Sequence, residues 1–163
     1  MRNTNVIEAK IFTLPALLQK VQQVRLTGAT VSFTNGCFDI LHRGHIASLS
    51  QAASEASFLI VGVNSDASTK RLKGADRPVN NEDSRALILA ALVIVDAVVL
   101  FQEDTPLELI KAIMPDVLVK GGDYTLEQIV GAKEVVAAGG RVVINSLVQG
   151  YSTTGILEKI RSL

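Results

Sequence analysis

Thr34-Asn35-Gly36-Cys37-Phe38-Asp39-Ile40-Leu41-His42-Arg43-Gly44-His45 is the stretch on which the reading of this chain turns. Before it lies a short apolar run, Val31 to Phe33, of the kind that forms a buried parallel strand. After it Ile46, Leu49, Ala53 and Ala56 recur at helical spacing. His42 to His45 therefore falls where a strand ends and a helix begins. At such a junction free backbone N–H groups and the positive end of the helix dipole favour a bound anion. Two imidazoles added there, the only histidines in the sequence, suit a polyphosphate. Gly44 between them would let a phosphate approach the backbone. Zinc needs three or four ligands; without a third histidine and with one cysteine the chain does not supply them, and no protein-held metal is expected.

Outward from this junction, apolar runs and helical spacings alternate. Val6 to Arg25 reads as a loose helical lead-in ended by Gly28. Strands are expected at Val31–Phe33, Phe58–Val63, Ala97–Phe101, Val117–Val119 and Val142–Ile144. Helices are expected at Arg43–Ala56, Glu82–Val93, after an Asp104 or Thr105 cap with Leu107, Ile110 and Met114 inward, at Leu126–Ala138, and after a Ser152 or Thr153 cap with Ile156, Ile160 and Leu163 inward. Residues 66 to 80 read as a polar, basic loop. Continuous apolar strands separated by helices are the pattern of a parallel sheet covered on both faces. The expected fold is α/β, a Rossmann-like doubly wound five-stranded parallel sheet in a single domain over residues 1–163, with 1–29 as lead-in and 30–163 as catalytic core. In such sheets ligands bind beyond the carboxyl ends of the strands, at the switch point, so motifs that follow strands should converge on one cleft.

Composition narrows the class. With 163 residues, 48% of them hydrophobic, the chain can bury a real core. Sixteen basic residues balance sixteen acidic ones, which argues against extended nucleic-acid binding. Cys37 is alone, so an internal disulfide is impossible and a reducing compartment fits. The N-terminus lacks the pattern of a signal peptide, and the apolar run Ala86 to Phe101 is short and carries Asp96. A cytoplasmic protein without a membrane segment is expected.

Each polar motif follows an expected strand. Asn64-Ser65-Asp66 suits a nucleotide base or ribose, or a plain turn. Lys70, Arg71, Lys73 and Arg77, with Arg85 shortly after, could clamp phosphates. Lys120-Gly121-Gly122-Asp123-Tyr124 offers a cation, a carboxylate and a phenol around an open backbone, a pocket for a phosphorylated second substrate. Gly150-Tyr151-Ser152-Thr153-Thr154 brings more hydroxyls to a helix start than one cap needs, and the surplus fits phosphate oxygens. A Gly-x-x-x-x-Gly-Lys-Ser/Thr motif is absent, which excludes a P-loop kinase. Cys37 reads as a small packing residue.

These motifs, in this order, resemble the cytidylyltransferase-like nucleotidyltransferases with their His-x-Gly-His motif. Asn35 to His42, Lys120 to Tyr124 and Tyr151 to Thr154 look most like the adenylyltransferases that make ADP-heptose for bacterial lipopolysaccharide. The resemblance implies transfer of AMP from ATP to D-glycero-D-manno-heptose 1-phosphate with release of pyrophosphate. It implies His42, His45 and Lys73 as catalytic residues. Thr34, Asn35, Gly36, Phe38, Asp39, Gly44, Asn64, Asp66, Lys70, Arg71, Ser152, Thr153 and Thr154 would hold the nucleotide. Arg77, Arg85, Lys120, Gly121, Gly122, Asp123 and Tyr124 would meet the second substrate, with Lys120, Asp123 and Tyr124 open to either the sugar phosphate or the base edge. Mg2+ would ride on the triphosphate. A homodimer is expected, and a functional link to a separate heptose kinase, since in many bacteria the activity is fused to one; the chain would be a stand-alone enzyme or an excised domain. The rival readings are a CTP-dependent enzyme acting on glycerol 3-phosphate or phosphoethanolamine, and a non-catalytic nucleotide-binding module.

Overall fold

The strand that precedes the histidines, β2 (Val31–Gly36), is hydrogen-bonded on both sides, to β3 (Phe58–Asn64) and to β5 (Val117–Gly121), all parallel. Beyond β3 lies β4 (Ala97–Phe101), beyond β5 lies β6 (Arg141–Asn145), and the short β1 (Ile11–Phe12) closes the far edge against β4. The sheet order is β1-β4-β3-β2-β5-β6. This is a computed structural model, and it describes residues 5–122, 124–146 and 148–163.

Both faces of the sheet are covered, which is why its central strands are apolar without a break. Phe33, Ile60, Val99 and Leu118 face one core with Leu17 and Val21 of α2 (Leu14–Leu26), Ile110 of α6 (Leu107–Ile113) and Val135 of α7 (Ala132–Ala137). Leu59, Val61, Val98 and Val119 face the other, with Leu49 of α3 (Arg43–Ser54) and Ala86 and Leu89 of α5 (Glu82–Ala90). Neighbouring residues of one strand thus serve opposite cores, as the pleat requires. Gly62 leaves room for Phe33: a Cβ there would lie 2.8 Å from the Phe33 ring. Two aspartates set where strands begin, Asp116 accepting from the Val31 N–H and Asp96 from the Leu59 N–H, each at 2.8 Å. Asp96, the charge inside the longest apolar run, is therefore a strand-pairing device between a helix and a strand. Among the described residues no helix is long and apolar enough to cross a membrane.

The α/β class and doubly wound parallel sheet are as expected, with six strands rather than five. The sixth is β1, which lies inside the expected lead-in helix: that segment is a short helix α1 (Asn5–Glu8), the edge strand, then α2. A two-residue strand is too short to show periodicity. The basic segment after β3 is not a loop throughout, since Asp66–Lys73 forms α4, capped by the Ser65 hydroxyl accepting from the Ser68 N–H. The helix expected over Leu126–Ala138 is a 3₁₀ turn (Leu126–Gln128) followed by α7. In α6 the buried residues are Leu109, Ile110 and Ile113 rather than Leu107 and Met114. The last helix, α8 (Thr153–Arg161), buries no side chain, and Ile160 and Leu163 are exposed rather than inward.

Arg85, expected to meet substrate, is fully buried and holds three segments together. Its Nη2 donates to Asp66 Oδ1 at 2.8 Å, its Nη1 to the Cys37 carbonyl, and its Nε to the Asn80 carbonyl at 3.0 Å. The start of α4, the end of β2 and the loop before α5 are thereby fixed to one planar group. Asp66, expected at the nucleotide, is the partner in this pair. Arg85→Ala should lower stability by about 3 kcal/mol in urea unfolding, because it strands two carbonyls and a carboxylate; a loss below about 1 kcal/mol would mean that water replaces the guanidinium.

Candidate active site

The chain leaves the sheet after Gly36, the carboxyl end of β2, and turns sharply, with Phe38 in the left-handed region at φ 48°. A non-glycine residue there is strained by about 1 kcal/mol or more and needs its surroundings to hold it. Asp39 supplies the hold. Its buried carboxylate accepts from Arg77 Nε at 2.6 Å, from the Val79 N–H at 2.8 Å and from the Asn80 N–H at 2.9 Å, while Asn80 Nδ2 donates to the Asp39 carbonyl at 2.7 Å. Burial alone would raise the Asp39 pKa, but the Asn80 and Val79 N–H groups and the Arg77 guanidinium outweigh it and hold the carboxyl below its ordinary range. Asp39, expected at the nucleotide, has its carboxylate taken up in orienting the loop, and Arg77 is bound to it as well as facing the cleft.

The histidines open α3, with His42 at its N-cap. Their rings stack at 3.9 Å between centroids and 27° between planes, and Phe38 packs on His45 at 5.4 Å. Gly44 has a reason the sequence did not reveal: a Cβ there would sit 3.0 Å from His42 Cε1 and 3.4 Å from Tyr151 Cβ. The missing side chain makes room for the His42 ring, so Gly44 does have a packing purpose. Burial lowers the pKa of His42, and burial followed by the charge of His42 pushes His45 down to about 4, with the Ile40 backbone pulling the other way. The Nδ1 atoms of both rings are buried without a hydrogen-bond partner in the protein. Two neutral, unsatisfied imidazoles side by side are poised to gain protons when an anion arrives.

These rings line a cleft of about 450 Å³. Thr34, Asn35, Gly36, Phe38, Asp39 and Gly44 line it as expected, together with Lys73, Arg77, Lys120, Gly121 and Tyr124, and Ser152, Thr153 and Thr154 at the start of α8. The α8 start meets the histidine loop through Thr153 Oγ1, which donates to the Ile40 carbonyl at 3.4 Å, 113 positions away in the chain. Arg43 reinforces the junction by donating to the Tyr151 hydroxyl at 3.3 Å. The Ser152 hydroxyl accepts from the Gly155 N–H as a cap and keeps its own proton to donate. Lys120 donates to Asn35 Oδ1 at 3.4 Å; burial lowers its pKa, the nearby Cys37 thiol opposes that, and the Lys73 ammonium adds to it.

Other expected residues lie elsewhere. Arg71 pairs with Asp104 at 2.6 Å and donates to the Gln102 carbonyl, and Lys70 is exposed; neither lines the cleft. Of the basic residues on α4 only Lys73 lines the cleft: it is the last residue of the helix, whereas Lys70 lies on the same face one turn earlier and Arg71 points to Asp104. Asn64 is buried and lines an adjoining pocket rather than the main cleft. Gly122 takes φ 132° after β5 and does not line the cleft, and Asp123 lies outside the described residues. The sequence reading missed Ser48, one helical turn after His45 on the same face, which the i, i+3 spacing could have found. It also missed Val148, and it gave Tyr151 no wall of the cleft; nothing in the local sequence marks Val148. Among the described residues no cluster of three His, Cys, Asp or Glu could hold a metal ion.

A neutral His45 in the fold and an ordinary one in the unfolded chain make stability depend on pH. The unfolded chain binds more protons below about pH 6.5, so this contribution is fully present above that pH and is lost as pH falls toward about 4. NMR titration of the imidazoles in the free protein should give a His45 midpoint of about 4. Inorganic tripolyphosphate should raise that midpoint and bind more tightly at pH 5.5 than at pH 7.5. A midpoint near the ordinary histidine value in the free protein would contradict the stacked neutral pair.

A family model described as cytidylyltransferase-like matches residues 33–159. The chain is 59% identical to the bifunctional protein HldE of Mesorhizobium japonicum, over 83% of this chain and 27% of that protein. It is 55% identical to the HldE of Bradyrhizobium diazoefficiens, over 94% of this chain and 31% of that protein. The chain thus spans about a third or less of the length of these relatives. Among solved structures, the lipopolysaccharide core biosynthesis protein from Thermoplasma volcanium GSS1 superposes with a TM-score of 0.60 at 29% identity, covering 77% of this chain and all of that one. A match that takes in the histidine loop, the basic helix and the hydroxyl-rich helix start, over most of the sequence, means that this chain belongs to the cytidylyltransferase-like family.

Proposed function

We propose that the protein is an adenylyltransferase that moves AMP from ATP to D-glycero-D-manno-heptose 1-phosphate, giving ADP-heptose and pyrophosphate. The observation that carries this reading is the meeting of the histidine pair, Lys73 and the Ser152–Thr154 helix start on one cleft. The high identity to HldE proteins supports the heptose acceptor. The same reading takes the sugar 1-phosphate as the product of a separate kinase step and the working unit as a homodimer, which light scattering would test.

The chemistry follows from the charges. An oxygen of the sugar phosphate attacks the α-phosphorus in line; the new P–O–P bond forms as the bond to the β-phosphate breaks, and pyrophosphate carries the electron pair away. The attacking phosphate is already an anion, so a general base is unnecessary, and catalysis rests on positioning and on neutralising charge. His42 and His45 gain protons as the triphosphate docks and become donors to its oxygens. The N–H groups at the starts of α3 and α8 add to this field. Lys73 meets the departing phosphates. The only carboxylate among the described residues of the cleft, Asp39, is already occupied by Arg77, Val79 and Asn80. The donor set therefore suits Mg2+ that arrives as part of the substrate, on the triphosphate, rather than a resident metal.

A pyrophosphate-release assay with ATP or CTP, and with heptose 1-phosphate, glycerol 3-phosphate or phosphoethanolamine, tests the reading. ATP with heptose 1-phosphate should be the fastest pair. Preference for CTP with glycerol 3-phosphate would favour the sister activity, and nucleotide binding without turnover would favour a non-catalytic module. His45→Ala should lower kcat by about 10²-fold, the scale of losing one donor to the transition state. Gly44→Ala should displace the His42 ring and lower kcat by about tenfold with the fold intact; unchanged turnover would show that the stacked pair is not needed.

A further inference from the structure

Arg43 stands between the two histidines in sequence, yet it does not line the cleft with them. Its exposed side chain reaches Tyr151, 108 positions later and just before the cap of α8. The guanidinium lies over the phenol ring, 5.6 Å from its centroid, and Arg43 Nη1 donates to the Tyr151 hydroxyl at 3.3 Å. The base of Tyr151 rests on the next residue of the same turn, since a Cβ on Gly44 would come within 3.4 Å of Tyr151 Cβ. Little else fixes α8. It buries no side chain, and a helix takes most of its stability in place from a packed face. Among the described residues its other polar tie to the histidine loop is the Thr153 hydroxyl on the Ile40 carbonyl, at 3.4 Å. Yet this helix brings the hydroxyls of Ser152, Thr153 and Thr154, and the free N–H groups of its first turn, to the cleft.

Resting on the adenylyltransfer reading above, we propose that Arg43 and Tyr151 are positioning residues, a clasp that sets the start of α8 against the histidine loop so that both sets of donors meet one polyphosphate. They act through the placement of Ser152, Thr153 and Thr154 rather than on the reacting atoms. An exposed guanidinium–phenol contact is weak by itself, but it bears on a helix with no buried anchor. With the clasp closed, α8 is placed before the ligand arrives; with it open, binding must also supply that order and affinity falls. The α8 donors meet the triphosphate both before and during transfer. Their misplacement therefore falls on affinity for the polyphosphate more than on turnover.

The test uses Arg43→Ala, Tyr151→Ala, the double variant and Tyr151→Phe on the full chain, with melting temperature as a fold control. Calorimetry gives the affinity for inorganic tripolyphosphate, at about 0.15 M salt to screen the exposed Arg43 charge. Kinetics give kcat and KM for ATP and for heptose 1-phosphate. Either alanine should weaken tripolyphosphate and raise KM for ATP by about fivefold, with kcat and KM for heptose 1-phosphate within about twofold. The double variant should lose about fivefold as well, not about twenty-fivefold, because the two residues act as a unit. Tyr151→Phe keeps the ring under the guanidinium and should stay within about twofold of the parent. Losses that multiply in the double variant, or a loss confined to one alanine, would mean that each residue acts on the anion separately, and would overturn the clasp. If the parent releases pyrophosphate and both alanine variants match it in affinity and KM, the clasp fails and the adenylyltransfer stands. If the parent binds tripolyphosphate but releases no pyrophosphate from ATP and heptose 1-phosphate, and the variants share one loss of affinity, the clasp stands and the adenylyltransfer fails. A parent that does not bind tripolyphosphate overturns both.

Discussion

The parallel pairing of β2 with β3 on one side and β5 on the other is the constraint from which the rest follows. From β2 the chain winds out through β3 to β4, then returns across the sheet to β5 and β6. The direction of winding reverses beside β2, and the loops leaving β2 and β5 are driven apart there instead of packing on each other. The gap is the cleft. Because all strands run the same way, every segment that follows a strand emerges on that edge. The histidine loop, Lys73, Gly121 and the α8 start therefore share one space, although none of them is close to all the others in sequence.

Holding that gap open is work for buried polar groups. Asp39 fixes the loop of Val79 and Asn80 to the histidine loop, and Arg85 fixes the end of β2 to the start of α4. Each of these buried groups is multiply bonded, as a charge removed from water must be. The histidines of the cleft are the opposite: the Nδ1 atoms of His42 and His45 have no hydrogen-bond partner in the protein. The contrast separates support from chemistry better than residue type does, since Arg85 and Lys73 look alike in sequence and have different uses. One is spent on carbonyls and a carboxylate; the other faces open space.

In the proposed adenylyltransfer, the stacked histidines would let a chain with no net charge host a highly charged ligand. A permanently cationic pair at 3.9 Å would repel itself in the absence of ligand. A pair that is neutral until an anion arrives avoids that cost and supplies its charge at the moment of binding. The glycine between the two leaves room for the His42 ring, which a Cβ would approach to 3.0 Å.

Sequence alone determined the class of fold, because strands buried on both faces must be continuously apolar and helices between them must show the 3.6-residue period. It also determined where ligands would gather, since a parallel sheet sends every post-strand motif to one edge. The histidine pair, Lys73 and Ser152 to Thr154 were legible for that reason. What only the tertiary structure decided is which of several equivalent side chains point inward. Lys70, Arg71 and Lys73 are indistinguishable by charge; the point at which α4 ends, at Lys73, brings that residue to the cleft, while Lys70 one turn earlier on the same face falls short and Arg71 pairs with Asp104. The partners of Arg85, the room made by Gly44, the edge strand β1 and the meeting of Arg43 with Tyr151 depend on contacts between distant segments. Local periodicity carries no record of such contacts, because a pairing energy belongs to two places in the chain at once.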